Sequence, residues 1–319
     1  MKAAIYDRSG PPEVFRYADV ADPQIGPRDV LIEISAISIE GGDVINRRLA
    51  EPPASNHIVG YAAAGTVIAL GSDVTNRKVG DRVTGFDLAG SHAALRAVAE
   101  EQTWLVPDGV GWDEAAAMLI SFGTAHHALF ASAALQKGEH VVIWAAAGGV
   151  GLAAVQLAKR AGARVLAVAS GEERLQRLKA IGADHVVDYR KDDVGAFVRS
   201  HTQEKGANVI VDPVGSTLPD SLAVLAQEGR LVFVGNAGGG ALSVDLWTAL
   251  AANQTLYGVY MGTQFTKPSV SATIDEMLRD IAKGTLKVHI DRIFPLSEAG
   301  AAHQHAETGS PFGRVVMHP

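Results

Sequence analysis

The chain has 319 residues, of which 47% are apolar, and it carries a formal net charge of −7. This length exceeds that of one average domain, so we expect two domains, each with enough apolar residues for its own core. The negative charge argues against nucleic acid or an acidic membrane surface as the main partner, because no basic run offsets it. Arg47-Arg48 and Arg77-Lys78 are isolated basic pairs, which we expect on the solvated surface.

Cysteine usage and the N-terminus narrow the class further. The sequence contains no cysteine, so it forms neither a disulfide nor a thiolate zinc site. Charged residues follow Met1 closely where a signal peptide would have an apolar region, and no apolar run is long enough to span a bilayer. These features predict a cytoplasmic protein that binds no membrane.

Residues 1–120 are predicted to form a compact β-rich domain. Short strands alternate with Gly, Pro and Asp turns, and we predict no strong helix before Trp112. The pattern is typical of an antiparallel barrel or sandwich. The predicted strands cover residues 30–38, 63–70, 82–86, 92–98 and 104–106. A helical segment follows, with one helix beginning near Asp113 and a second over residues 124–134.

The next stretch predicts a strand, a glycine turn and a helix. Residues 140–144 (HVVIW) form a β-branched and aromatic run, and a small-residue apolar helix follows the turn. Glycine lets the backbone turn sharply and lets a pyrophosphate approach the N–H groups of the helix. The spacing Ala145-x-x-Gly148-x-x-Gly151 is a relative of the dinucleotide fingerprint, with alanine in the first glycine position. The predicted phosphate-binding backbone comprises Ala147, Gly148, Gly149, Val150 and Gly151.

Strands and helices then alternate to about residue 255. This rhythm predicts a right-handed, doubly wound parallel sheet, whereas a glycine turn in an unrelated αβ protein is the alternative. The predicted strands cover residues 163–169, 185–187, 207–211 and 230–235, with helices over 172–180 and 216–227. Beyond residue 255 we predict strands over 256–260, 287–294 and 314–317, and helices over 271–283 and 297–307. The simplest assembly inserts a dinucleotide-binding domain (121–255) between two parts of a β-rich domain (1–120 and 256–319).

Several ordered motifs carry a family resemblance. They are MKAA at 1–4, GTVIALG at 65–71, VGDRV at 79–83, FGTA at 122–125, AAAGGVG at 145–151, GADHVVDY at 182–189 and FVGN at 233–236. Over essentially the whole chain this order resembles the zinc-free quinone oxidoreductase (zeta-crystallin-like) branch of the medium-chain dehydrogenase/reductase superfamily. The resemblance implies a Rossmann domain inserted in a GroES-like catalytic domain, NADPH as cofactor, and commonly a homodimer. It also implies hydride transfer to a small-molecule quinone or α,β-unsaturated carbonyl.

A catalytic metal is not expected. Zinc-dependent relatives have Gly-His-Glu where this chain has Gly60-Tyr61-Ala62, and a cysteine ligand where it has Glu40. The only close histidine pairs are His126-His127 and His303-x-His305, and neither has a convincing third ligand. We therefore predict zinc-independent chemistry.

The sequence partly predicts whether the cofactor is NADH or NADPH. Sites that prefer NAD usually place an acid at the end of the second strand of the dinucleotide domain, where this chain has Ser170. Arg174 and Tyr189 match the basic residue and tyrosine that the family places around the 2′-phosphate, which favours NADPH. Alternatively, Arg174 bonds to its i−4 residue or to Asp184. The resemblance adds further cofactor contacts at Thr124, Val234, Gly235, Asn236 and Arg314.

The catalytic loop departs from the family. The family commonly has Asn-x-x-Asp followed closely by tyrosine, whereas this chain has Glu40-Gly-Gly-Asp43 and then Val44-Ile45. If both carboxylates approach the nicotinamide, their repulsion would raise one pKa and create a proton donor. The alternative is that Glu40 pairs with Arg47 or Arg48 and Asp43 orders the turn. Tyr61 and Tyr260 are other candidate donors, or wall residues.

Two alternatives to the general reading therefore stay open. One is the reduction of a narrower enone or aldehyde, because the altered loop at Glu40 can change the substrate pocket. The other is a slow-turnover NADPH-binding protein with a redox-sensing role, since the phosphate-binding residues are kept beside a missing tyrosine.

Overall fold

The computed structural model describes all 319 residues. The chain divides into two compact units. The first contains Met1–Ile120 and Gly262–Pro319, and the second contains Ser121–Met261. None of the helices combines the length and apolar character needed to cross a bilayer. Helices and strands are numbered below along the whole chain.

The first unit consists mainly of antiparallel β-structure. A two-stranded sheet pairs β1 (Lys2–Ile5) with β2 (Arg16–Asp19). Seven strands form the main sheet: β3 (Asp29–Ser38), β4 (Ala62–Leu70), β5 (Arg82–Phe86), β6 (Leu95–Ala99), β7 (Thr103–Leu105), β14 (Ile290–Pro295) and β15 (Arg314–His318). Their order is β14-β15-β3-β4-β5-β7, with β6 also on β3, and only β14 and β15 are parallel. The helices here are α1 (Gly41–Leu49), α8 (Pro268–Ala282) and α9 (Ala299–Thr308).

The second unit contains a parallel sheet of six strands. They are β8 (His140–Ile143), β9 (Arg164–Ala169), β10 (His185–Asp188), β11 (Ala207–Asp212), β12 (Leu225–Phe233) and β13 (Thr255–Gly258). The order β10-β9-β8-β11-β12-β13 reverses between β8 and β11, and the carboxyl ends of strands at such a switch point form a ligand crevice. The helices are α3 (Gly149–Arg160), α4 (Glu172–Ala180), α5 (Val194–His201), α6 (Leu218–Val224) and α7 (Leu246–Ala251). The predicted doubly wound sheet is confirmed.

The sheet of the second unit forms because its strands are apolar on both faces. Adjacent residues, whose side chains point to opposite faces of a strand, are both fully buried in β8 (Val141 and Val142) and in β9 (Val165 and Leu166). Continuous apolar runs of this kind suit a parallel sheet covered by helices on both sides. Each such side chain contributes roughly 1.5–3 kcal/mol when it is buried. The packed core therefore fixes the strand ends that carry the functional side chains.

The prediction of no strong helix before Trp112 is wrong, because α1 occupies Gly41–Leu49. Glu40 is its N-cap residue, and Asp43 Oδ2 accepts the Glu40 N–H at 2.8 Å. The buried residues of this helix are Asp43 and Arg47, so a search for apolar side chains at helical spacing does not find it. The predicted solvation of Arg47 is also wrong, since its side chain is 0% exposed and ion-paired with Glu307.

Other predicted elements differ in their bounds. Residues 124–134 are not a separate helix, because α2 (Trp112–His126) continues through a π-helical turn to Ser132. Residues 225–227 begin β12 instead of ending a helix, since Leu225 pairs with Ala207 across a register shift. β13 pairs with β12, so the second unit extends beyond residue 255 to Met261.

Candidate nucleotide-binding and active site

The turn between β8 and α3 has the geometry of an anion-binding site. Ala145 adopts a φ of 46°, and Gly148 N donates to Ala145 O at 2.9 Å. A Cβ on Gly151 would lie 2.5 Å from both Ala145 O and Ala146 Cα, so only glycine lets this helix approach the strand. Gly148 is the N-cap, and no side chain caps α3. The N–H groups of residues 149–151 therefore lack an intrahelical acceptor and are available to an anion.

Ser170, Arg174 and Tyr189 come together where β9 and β10 end. Arg174 donates from Nε to Ser170 O and from Nη2 to Ser170 Oγ, each at 2.7 Å. The Tyr189 N–H donates to Ala169 O at 3.1 Å, which holds the tyrosine beside β9, and its side chain is half-exposed. The predicted i−4 bond of Arg174 is thus observed, and it places the guanidinium at the strand end. A hydroxyl and a guanidinium occupy the position where an acid would select NAD, and Tyr189 follows the neighbouring strand.

Asp188, which the sequence analysis did not single out, joins the ends of β9 and β10. Its Oδ2 accepts the Gly171 N–H and its Oδ1 accepts the Arg190 N–H, both at 3.0 Å. These two hydrogen bonds lower the pKa of Asp188, the bond from Gly171 contributing most. Because both oxygens accept from the backbone, Asp188 orders the ends of the two strands. The carboxylate of Glu172 would repel a cofactor phosphate if it turned towards Arg174. It instead accepts a hydrogen bond from Gln176 Nε2 at 2.7 Å.

A cavity of about 460 Å³ lies beside Tyr189 within the second unit. Trp144, at the end of β8, and Val194, Thr217 and Val224 are among its lining residues. Trp144 is buried, and its indole Nε1 has no hydrogen-bond partner. A buried donor left unpaired costs about 1–3 kcal/mol, so this N–H is available to a ligand atom.

The predicted residues after β12 lie at the carboxyl edge of the same sheet. Val234 N donates to Asp212 O at 2.9 Å, and Gly235 and Asn236 follow it. Asn236 Nδ2 donates to Gly240 O at 2.9 Å, while its buried Oδ1 has no hydrogen-bond partner. Thr124 lies on α2 and is buried.

Glu40 and Asp43 lie together at the N-terminus of α1, where they are 1% and 0% exposed. Ser38 Oγ donates to Glu40 Oε1 at 2.7 Å, and Arg314 forms an ion pair with the same carboxylate. Asp43 accepts the N–H of Glu40 at 2.8 Å and that of Tyr61 at 3.1 Å. The structure thus brings these two predicted catalytic residues together, but encloses both carboxylates in protein. Their predicted proton-donor role stays a prediction.

Burial governs the protonation of this acidic pair. It raises the pKa of Glu40, while Arg314 and Ser38 oppose the shift. Burial and then the Glu40 carboxylate raise the pKa of Asp43 to about 8, opposed by its backbone hydrogen bond and by Arg314 and Arg96. Two carboxylates so close in a dry site therefore hold a proton near neutral pH.

The alternative pairing of Glu40 with Arg47 or Arg48 is wrong, whereas Asp43 does order the turn by accepting the Glu40 N–H. Glu40 pairs with Arg314 from β15, and Arg47 pairs with Glu307 from α9. Arg314 was predicted as a cofactor contact. Its side chain is 13% exposed and is held by Glu40, so its contact with a cofactor stays a prediction.

Tyr61 packs beside the same helix end. Asn46 Nδ2 donates to its phenol oxygen at 2.9 Å, and its ring meets Phe86 edge-on at 5.9 Å between centroids. A Cβ on Gly42 would lie 2.8 Å from Tyr61 Cζ and 2.9 Å from its OH. Asn46 was not predicted, because only the helix α1 places it one turn from Gly42 on the face that Tyr61 covers. Tyr260 lies in the second unit and is 55% exposed.

Comparisons with known proteins identify the family. The chain is 34% identical over 316 residues to a quinone oxidoreductase of Pseudomonas aeruginosa, covering 97% of each chain. It belongs to the zinc-free quinone oxidoreductase branch of the medium-chain dehydrogenase/reductase superfamily. The family models that match are "Alcohol dehydrogenase GroES-like domain" over residues 26–108 and "Zinc-binding dehydrogenase" over residues 149–283. The chain is accordingly an enzyme of the quinone oxidoreductase-like class.

Two further relatives of this enzyme bear on its chemistry. The 2-haloacrylate reductase of a Burkholderia species is 30% identical over 338 residues and covers 99% of this chain and 98% of its own. The crystal structure of Escherichia coli quinone oxidoreductase complexed with NADPH superposes with a TM-score of 0.95 at 27% identity, covering 100% of both chains. These relatives show that this enzyme uses a nicotinamide cofactor.

The histidines of this enzyme are engaged with protein groups. His303 Nε2 lies 2.9 Å from His92 Nε2, and His305 Nε2 lies 2.7 Å from Asp291 Oδ2. No group of three or more His, Cys, Asp or Glu side chains is placed to hold a metal ion. His126 contacts the Phe130 ring at 4.8 Å between centroids.

Proposed function

We propose that this enzyme uses NADPH, without zinc, to reduce a quinone or an α,β-unsaturated carbonyl. Two features at one edge of the parallel sheet carry the proposal. One is the uncapped N-terminus of α3, which only glycine at position 151 lets approach the strand. The other is the guanidinium of Arg174, which is held at Ser170. The first suits a pyrophosphate and the second suits the phosphate that distinguishes NADPH from NADH. When bound, the cofactor supplies a hydride.

The residues present fit the whole cofactor. The backbone of residues 147–151 would hold the pyrophosphate, and Ser170, Arg174 and Tyr189 would hold the 2′-phosphate. Asn236 Oδ1 is a buried acceptor without a hydrogen-bond partner. The carboxamide N–H of a nicotinamide would supply the donor that such a buried oxygen needs. Thr124, Val234, Gly235 and Arg314 complete the proposed set.

The substrate class is the next point to test. The 2-haloacrylate reductase relative supports an activated C=C bond, and the quinone oxidoreductase relatives support a quinone. We would follow oxidation of NADPH with a panel of quinones, enones and aldehydes, beside Glu40→Gln. Turnover of quinones or enones is the expected result. Activity confined to one enone or aldehyde would favour the narrower reductase.

A second candidate is an NADPH-binding protein with slow turnover and a redox-sensing role. The burial of Glu40 and Asp43, together with Ile45 where the family has tyrosine, favours it. Tight binding of NADPH, measured by the fluorescence of the bound cofactor, with no turnover of any acceptor would establish this candidate and overturn the first.

Zinc independence has its own test. Tyr61 and Glu40 stand where zinc-dependent relatives have ligands, and neither belongs to a group of three or more His, Cys, Asp or Glu side chains that could hold a metal ion. We expect turnover to survive dialysis against EDTA, with less than one zinc per chain by elemental analysis. Loss of activity that added zinc restores would contradict this part of the proposal.

We also propose that the enzyme is a cytoplasmic homodimer whose partner is a second copy of this chain. β13 pairs only with β12, so one edge of the parallel sheet is open to another strand. On the neighbouring α7, the side chains of Leu246, Trp247 and Leu250 are 65%, 75% and 66% exposed. A sheet edge beside apolar side chains suits a twofold contact between identical surfaces.

The dimer is tested by sedimentation of Trp247→Asp. We expect a dimer for the wild type and a monomer for the variant. Val79→Asp is the control, because Val79 is 60% exposed on the other unit. A monomeric wild type, or a variant that stays dimeric, would overturn this interface.

A further inference from the structure

Asn236 lies where two loops leave neighbouring strands of the parallel sheet. The β11 loop comprises residues 213–217, and the β12 loop comprises residues 234–245. Asn236 Nδ2 donates to Gly240 O at 2.9 Å, which sets Oδ1 as the free end of the amide. This oxygen is buried and has no hydrogen-bond partner. A buried acceptor without a partner costs free energy, which a ligand N–H would recover.

Asp212 organises the β11 loop. The residue is fully buried. Its Oδ1 accepts from the N–H groups of Val214 and Gly215 at 2.8 and 3.0 Å. The hydroxyls of Thr217 and Ser221 donate to Oδ2 at 2.7 and 2.9 Å. One carboxylate thus binds the loop from its second residue to its last and fixes its shape.

The β11 loop in turn shapes the β12 loop. The N–H groups of the two residues that follow Asn236 donate to Pro213 O and Val214 O at 3.1 and 2.8 Å. These hydrogen bonds hold the chain beside Asn236 against the loop that Asp212 organises. The position of Asn236 therefore depends on the Asp212 carboxylate through two sets of hydrogen bonds.

Gly215 is the point where the β11 loop meets the side chain of Asn236. Its φ is 82°. A Cβ at this position would lie 2.6 Å from Asn236 Oδ1 and 2.8 Å from Leu242 Cδ2. The amide oxygen and the Leu242 side chain thus meet over Gly215, where only hydrogen atoms leave room for both. Leu242 is half-exposed and follows closely on the glycines at 238–240, so a ligand can displace it from this oxygen without disturbing the core.

We propose that Gly215 and Asp212 are positioning residues that hold Asn236 Oδ1 for an amide N–H of the cofactor ring. The inference rests on the proposed function. It makes the enzyme specific for rings that carry such an N–H, because a site built around a hydrogen bond rejects an analogue that cannot form it. A ring with an acetyl group in place of the carboxamide keeps the oxygen but lacks the N–H, so it would leave Asn236 Oδ1 without a donor.

The test measures the Kd of oxidised cofactors by calorimetry. NADP⁺ and its thionicotinamide analogue carry the N–H, the 3-acetylpyridine analogue lacks it, and adenosine 2′,5′-bisphosphate lacks the whole ring. We expect the wild type to bind the acetylpyridine analogue roughly 10-fold more weakly than NADP⁺, as loss of one hydrogen bond to a buried group implies. The thionicotinamide analogue should bind within about 2-fold of NADP⁺, because it keeps the donor.

Variants at three positions test the positioning. Asn236→Ala and Gly215→Ala should bind NADP⁺ and the acetylpyridine analogue within about 2-fold of each other, because the acceptor is removed or displaced. Gly138→Ala is the matched control and should keep the wild-type ratio. Gly138 has a φ of 86°, so alanine is strained there as at Gly215, but its Cβ would meet nothing within 4 Å. Asp212→Ala should lose the discrimination, whereas Asp212→Asn keeps a carbonyl oxygen for the two loop N–H groups and should retain it.

Three readouts separate positioning from damage to the fold. The Kd of adenosine 2′,5′-bisphosphate should stay within about 2-fold in every variant, since the phosphate-binding residues are unchanged. Gly215→Ala in the Asn236→Ala background should not alter the ratio further, because Gly215 acts through Asn236. Leu242→Ala should keep the wild-type ratio, because Leu242 covers the amide oxygen but does not orient it.

The outcomes are distinguishable from those of the proposed function. A wild type that binds neither NADP⁺ nor the bisphosphate overturns both. A wild type that binds NADP⁺ and the acetylpyridine analogue equally well overturns the inference alone. A Gly215→Ala variant that keeps the wild-type ratio, or a Gly138→Ala or Leu242→Ala variant that loses it, would also overturn the inference, because the effect would then not pass from Gly215 to Asn236.

Discussion

The carboxylate of Glu40 is ion-paired with the guanidinium of Arg314, which connects the N-terminus of α1 to β15 at the far end of the chain. Ser38 donates to the other oxygen of the carboxylate. Glu40 is 1% exposed and Arg314 is 13% exposed, so water screens this pair little. The pair therefore holds together two parts of the first unit that lie on either side of the inserted second unit in the sequence.

Removing both partners of this pair should cost less than the sum of the two single losses. Glu40→Gln leaves the Arg314 charge enclosed without its counterion, and we expect a loss of about 3 kcal/mol in the free energy of unfolding. Arg314→Met alone should cost a similar amount. The double variant should be more stable than the sum of the two losses predicts, by at least about 1 kcal/mol. Urea unfolding of the four proteins measures this, and strictly additive losses would contradict a direct interaction.

Arg174 should decide between NADPH and NADH. Its guanidinium is held at Ser170, so Arg174→Ala removes a charged donor from the proposed site of the 2′-phosphate. We expect the Kd for NADPH to rise roughly 10- to 100-fold, as loss of a charge-assisted hydrogen bond implies, with little change for NADH. Arg177→Ala, an exposed arginine on the same helix, is the control. Equal weakening of both cofactors would show that Arg174 only orders the strand end.

The dinucleotide unit could be predicted from the sequence because its signals are local. The apolar strands, the turn before Gly148 and the return of strands at a regular interval all lie within short windows. α1 could not be predicted in this way, since its buried face consists of Asp43 and Arg47, whose partners come from distant segments. α5 and α7 are short, and tertiary packing, more than their own periodicity, decides such elements.

The residues of the candidate site also differ in whether local sequence signals could predict them. The position of Ser170 could be predicted because it follows a recognisable strand, whereas Arg174 and Tyr189 were predicted from the family resemblance. The partner of Glu40 could not, since Arg314 lies at the other end of the sequence and nothing local relates them. Asn46 was missed for a different reason. Its hydrogen bond to Tyr61 depends on α1, which was not predicted because its buried residues are polar, so one error in secondary structure also hid this contact.

Ala145 carries backbone strain that glycine would relieve. Its φ of 46° lies in the left-handed region, and its side chain is exposed. Such a conformation costs alanine about 1 kcal/mol relative to glycine. We expect Ala145→Gly to raise the free energy of unfolding by up to about 1 kcal/mol with NADPH binding retained. Ala134→Gly, at an exposed residue with a φ of 47° outside the phosphate turn, should give a similar gain. A loss of stability in Ala145→Gly alone would contradict this account.

The His92–His303 pair should make the protein sensitive to acid. Burial lowers the pKa of His92 from 6.5 to about 3, and Arg96 adds to the shift. Burial also lowers the pKa of His303, assisted by His92 and Arg47. Both side chains are therefore neutral in the folded protein. Their contribution is fully present above pH 6.5, where the unfolded histidines are neutral too, and it is lost as the pH falls towards 3.

Between pH 7 and pH 5 this loss should reach about 2 kcal/mol for His92. Asp43 acts in the opposite direction, because its raised pKa lets the folded protein keep a proton that the unfolded chain releases. The wild type alone therefore cannot isolate the histidines. We expect the double variant His92→Gln with His303→Gln to lack their share of the pH dependence, so that the stability advantage of the wild type over the variant shrinks by at least about 2 kcal/mol on going from pH 7 to pH 5. Urea unfolding of both proteins at each pH measures this difference. An advantage that stays constant over the range would show that the pair titrates alike in the folded and unfolded chains.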